Sequence, residues 1–188
     1  MRAIWTETDD AESRTLLLGG FTRDFIRLTV MTFVPLFAVQ SLGATPLQAG
    51  LAVSMRGVPR VVVSPLAGSI VGRFSQRSAL VGAFGFAAVG ALAISFAPSV
   101  PVLWGLVVLY GAGDSLLAPV LKSAVADLTT EEYRAGVING LQVLKSTAQS
   151  IAPVLFGAVL ALAGFEAVFL TVGAVGLCYV GALAVLVE

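Results

Sequence analysis

The side chains in this sequence best suited to chemistry are charged or amide groups set inside apolar runs. Arg56 and Arg60 interrupt the stretch Leu47–Gly72, and Asp114 interrupts Val102–Ala124. Gln142, Lys145 and Gln149 interrupt Gly136–Ala163. At ~1.5 Å of rise per residue, the two arginines fall about 13 Å and 20 Å into a helix begun at Leu47, on one face at i and i+4. Asp114 falls about 18 Å into its helix and Lys145 about 14 Å. Gln142, Lys145 and Gln149 recur at helical spacing, with Ser146 and Ser150 beside them. A charge at mid-membrane depth costs at least about 2.5–3.5 kcal/mol. Such groups should therefore face protein or water and line a solute or ion pathway.

Three bases against one carboxylate make that expected path net positive, which suits an anionic solute. Asp114 admits two roles: it neutralises one of the bases and locks two helices, or it carries a proton through the path. Arg23, Asp24 and Arg27 admit two placements. Counted back from Leu42 they lie near the inner interface, where long basic side chains reach water. Counted from Leu16, Asp24 lies about 12 Å deep and offers a second counter-charge and coupling group.

The elements that must position these residues follow from composition. The chain has 188 residues, 57% hydrophobic and 12% charged, where soluble domains carry about 25% charged residues. A mean hydropathy of +0.96 leaves too little polar surface to cover a soluble globule. The sequence therefore reads as an all-α, polytopic membrane protein in contact with the lipid bilayer. A net charge of zero gives no basic footprint for nucleic acid. Without His and with a single Cys, a Cys/His zinc site and an in-chain disulfide are excluded. No phosphate loop ending in GK[ST] and no GxSxG elbow is present, so neither an enzyme nor a cofactor or metal is expected.

Six apolar stretches are each near or above the roughly 20 residues that cross a bilayer. They run over Leu16–Leu42, Leu47–Gly72, Ser78–Ala97, Val102–Ala124, Gly136–Ala163 and Ala167–Val187. Residues 1–14 lack a signal-peptide pattern and read as a solvated tail, leaving 15–188 as the six-span domain. Leu42–Pro46 and Ala97–Pro101 carry no charge, whereas Arg2, Arg14, Arg73, Arg77, Lys122 and Arg134 all fall on the other side. The positive-inside rule then puts both termini in the cytoplasm. Gly68 with Gly72, and Gly136 with Gly140, form steps suited to close helix packing. Arg56, Pro65 and Gly68 echo in Lys145, Pro153 and Gly157, the kind of weak symmetry left by a 3+3 inverted repeat.

Gly68, Arg73 and Arg77 carry a resemblance. They match G-x-x-x-D-[RK]-x-G-x-[RK]-[RK], the signature after the second and eighth helices of the major facilitator superfamily. Gly72 stands in place of its Asp and Ser75 in place of its second Gly. Asp127–Gly136 resembles that family's loop between helices ten and eleven, and Ala152–Gly157 its eleventh helix. The resemblance covers about residues 15–188 and implies helices seven to twelve of a twelve-helix bundle. It implies a secondary transporter of small solutes working by alternating access in the cell membrane, often with protons. A second six-helix half would complete it, as a separate chain or a second copy. Gly68, Arg73, Arg77 and Asp24 would then serve coupling or an inner gate. The rival expectation is a non-conducting interaction subunit or an inactive half.

Overall fold

The computed structural model describes residues 11–71, 75–128 and 131–186. These form α1 (Ala11–Gln40), α2 (Pro46–Met55), α3 (Val58–Val71), α4 (Gln76–Ile94), α5 (Val100–Leu128) and α6 (Glu131–Leu186). Among the described residues the secondary structure is helical throughout, which agrees with the expected class. Of the expected tail, residues 1–14, the first ten lie outside the described residues, as does Arg73, and 11–14 belong to α1. Two helical stretches, Val100–Ser123 and Ile138–Ala184, are long and apolar enough to cross a membrane.

Local chemistry accounts for the boundaries. Gly43 takes a left-handed φ of 64° and turns the chain after α1. Thr45 then opens α2 with a capping box: its hydroxyl accepts from Gln48 N at 3.3 Å, and Gln48 Oε1 accepts from Thr45 N at 2.9 Å. Pro46 follows at the helix start, where its missing N–H costs nothing. Ser75 caps α4, accepting from Ser78 N at 3.2 Å. Gly164, at φ 80° and ψ 179°, interrupts α6 and divides it into a first arm, residues 131–163, and a second arm, residues 165–186.

One expected element is corrected. Leu47–Gly72 is not a continuous helix but α2 and α3, parted at Arg56 and Gly57. Pro59 supplies the reason. Lacking an N–H, it cannot donate to the Met55 carbonyl, and its ring crowds that carbonyl. Gly57 beside it adds the weakest helix propensity short of proline. The chain instead closes the turn through Gly57 N to Ser54 O at 2.8 Å.

The core joins α1, α4 and the two arms of α6 through aromatic contacts. Phe25 of α1 meets Phe156 at 5.2 Å, and Phe37 meets both Phe165 and Phe169 at 5.6 Å. Phe84 of α4 meets Tyr179 at 4.6 Å. Close approach of α4 to α5 depends on glycine: a Cβ on Gly113 would sit 2.5 Å from Ala87 N, and one on Gly90 2.6 Å from Tyr110 Cα. Of the packing step expected at Gly136 and Gly140, a Cβ on Gly136 would meet nothing within 4 Å among the described residues. Val61, Val154 and Leu162, each at least three-quarters exposed, face outward as lipid-facing side chains would.

Candidate functional site

Asp114, in the middle of α5 and 8% exposed, is the centre of a charged bridge across three elements. Arg56 Nη1 donates to its Oδ2 at 3.3 Å, from the break between α2 and α3. Arg23 Nη2, from α1, lies 3.1 Å from its Oδ1. Asp24 is also buried; its Oδ1 accepts from Arg27 Nε at 3.1 Å, with Arg23 Nη1 at 3.9 Å. Asp24 is thus buried within the bundle, with its counter-charge taken from its own helix one turn on.

Arg56 is held by its backbone as well as by its side chain. A Cβ at Gly111 would lie 2.5 Å from Arg56 O, so only glycine lets α5 come this close to the break. Ser115 Oγ donates to Gly111 O at 2.6 Å, one turn along, and its own hydrogen is thereby used within α5.

A cavity of about 190 Å³ opens beside the bridge, lined by Arg23, Arg60, Asp114, Ser115, Pro119 and Lys122 among others. Arg60 and Lys122 are exposed and form no ion pair among the described residues. Among the described residues five cations therefore gather around two carboxylates, and these surroundings favour a further negative charge. Two atoms of the bridge, Arg23 Nε and Asp114 Oδ1, are buried without a hydrogen bond. A buried group left so costs about 1–3 kcal/mol. Arg23 Nη2 is near enough to Oδ1 for strong attraction, but off the hydrogen-bonding direction.

The other expected site residues lie elsewhere. Among the described residues α6 touches neither α2 nor α3. Gln142 lines an open groove of about 610 Å³ on the first arm with Asn139, Ser146, Thr147 and Ser150. The Ser146, Thr147 and Ser150 hydroxyls donate back to carbonyls four residues earlier, at 3.0, 3.0 and 3.1 Å. Gln149 is exposed and Lys145 half-buried. The structure thus brings Arg56, Arg60 and Asp114 together and leaves Gln142, Lys145 and Gln149 as a second group. The surroundings of Gly68 and the side chain of Arg77 lie outside the described residues. Sequence reasoning did not place Arg23 at Asp114. No spacing in the sequence ties the two residues, which come from different helices.

Comparison with known proteins agrees with this architecture. The fold is similar to the crystal structure of the human organic anion transporter MFSD10 (TETRAN), with a TM-score of 0.75 at 23% identity. That likeness covers 91% of this chain and 40% of the other, so the chain spans less than half of its solved neighbour. No curated protein matches it. The family model of the Major Facilitator Superfamily matches residues 16–188.

Proposed function

Since the chain belongs to the Major Facilitator Superfamily, we propose that it forms one half of a secondary transporter that moves small anionic solutes by alternating access. The charge balance around Asp114 carries the anionic choice: among the described residues, five cations stand beside two carboxylates within an apolar helical protein. Such an excess opposes membrane insertion and persists where function or a partner compensates it. The protein of the solved neighbour is described as an organic anion transporter, a cargo of the same sign.

In this reading α2 and α3 cross as one broken span and the arms of α6 as two, making six spans in a 3+3 inverted repeat. Both termini face the cytoplasm across the plasma membrane, with residues 1–14 as a tail. Arg56, Arg60 and Asp114 form one wall of the path, and Gln142, Lys145 and Gln149 another. A second six-helix half, in a separate chain or a second copy, closes the space between them. Asp114 or Asp24 carries the proton where transport is proton-coupled, and Gly68, Arg73 and Arg77 belong to the inner gate.

The test is uptake of labelled succinate and inorganic phosphate by proteoliposomes holding the chain, alone and with candidate second halves. Arg56→Ala should lower uptake at least about tenfold, the worth of one charge-assisted hydrogen bond. Uptake confined to cationic or neutral solutes would overturn the anionic assignment.

A further inference from the structure

Asp114 holds two arginines, but on unequal terms. Arg56 makes an aligned hydrogen bond to Oδ2, and its backbone is pressed against Gly111. Arg23 sits 3.1 Å from Oδ1 without alignment, and its Nε has no acceptor among the described residues. The neighbouring carboxylate offers no better partner. Asp24 Oδ1 lies 3.9 Å from Arg23 and already accepts from Arg27. Arg23 also lines the cavity, together with Arg60 and Lys122, whereas Arg56 does not. The cavity, at about 190 Å³, has room for a carboxylate or phosphate group.

We infer that Arg23 is the specificity-determining residue of the path: it leaves Asp114 to grip the oxyanion group of a small solute entering this cavity. The inference rests on the anionic reading above and deepens it. The exchange satisfies every group involved. A carboxylate or phosphate can take the guanidinium fork through two parallel hydrogen bonds, giving Nε the acceptor it lacks. Asp114 is not left as a lone buried charge, because Arg56 remains on it. Arg60 and Lys122, free of ion pairs among the described residues, add to the attraction. In the absence of the solute Asp114 occupies its place, so carboxylate and substrate compete for the same guanidinium.

Competition gives signs that a purely structural salt bridge would not. The chain in phosphatidylcholine nanodiscs is titrated with succinate, and separately with inorganic phosphate, by calorimetry. Arg23→Gln should weaken binding by at least about tenfold, and Arg23→Lys should restore part of it, since a lysine keeps the charge but not the fork. Asp114→Asn should tighten binding by removing the competitor. That gain should vanish in Arg23→Gln/Asp114→Asn and survive in Arg27→Gln/Asp114→Asn, which changes the nearby charge equally. Should Arg23→Gln bind like the unaltered chain, or Asp114→Asn bind more weakly with its helicity intact, the inference fails while the anionic reading stands. Should neither anion bind the unaltered chain or Asp114→Asn, the anionic reading falls and takes this inference with it. Displacement of both anions by phosphatidylglycerol in the disc would assign the cavity to a lipid headgroup and overturn the small-solute assignment.

Discussion

Two parts of this molecule are held by different forces. Where α4 meets α5 and the second arm of α6, backbones touch: Gly90 lies on Tyr110, Gly113 on Ala87 and Gly173 on Leu92. Around α2, α3 and the first arm of α6, apart from the Arg56 carbonyl on Gly111, contact passes mainly through side chains. There Val58, Val61 and Val62, and Ile138, Val143, Val154 and Leu155, stay exposed. Lipid tails are as apolar as leucine, so helices in a bilayer gain little by hiding apolar side chains from it. Cohesion comes from close backbone approach or from polar bridges. The first produces a fixed block, and the second a contact that can be exchanged. Every expected site residue placed with its side chain, apart from Asp24 and Asp114, comes from the second part.

Substitutions can break this comparison. The largest effect is expected from Gly113→Leu, which drives a side chain into the Ala87 backbone and should cost about 3 kcal/mol or more. Its unfolding midpoint in mild detergent should fall sharply, and an unchanged midpoint would mean that the α4–α5 contact is not the fixed block. Arg56→Ala should cost less, about 1.5–3 kcal/mol, because Asp114 keeps Arg23 as a partner. That variant should lose transport while retaining its elution position on gel filtration, separating the polar bridge from the backbone contact of the fixed block. The smallest effect is expected from Val154→Ala, at an exposed position of the first arm, within about 0.5 kcal/mol. A larger loss in the thermal midpoint would show that a neighbouring chain covers this face.

Much of the framework was legible because it is written in local chemistry. Thr45 and Pro46 mark a helix start whatever surrounds them, and Gly164 marks a break. Arg56 and Asp114 stood out because charges within apolar runs need partners. The division of the second stretch was harder to see. Arg56, Gly57 and Pro59 fall in a run whose mean apolarity hides the missing backbone donor. Arg23 on Asp114 was not legible at all, since the two lie 91 positions apart and only the packing of α1 on α5 joins them. For the same reason, the separation of Lys145 from Arg56 could not be inferred from depth along each helix. Depth fixes height in the membrane but not bearing around the bundle.

The seating of Arg56 has a kinematic meaning. Its carbonyl rests on Gly111 and its guanidinium grips Asp114, three residues further along the same helix. Those two anchor points are about 4.5 Å apart along the axis of α5. A body tied at two points on a line cannot travel along that line, yet it can still swing about it. The elbow between α2 and α3 is thereby denied sliding and left with rotation, so thermal motion there becomes tilting of α3 against α5. A pivot of this kind turns a small change at one guanidinium into a sweep at the far end of a 14-residue lever.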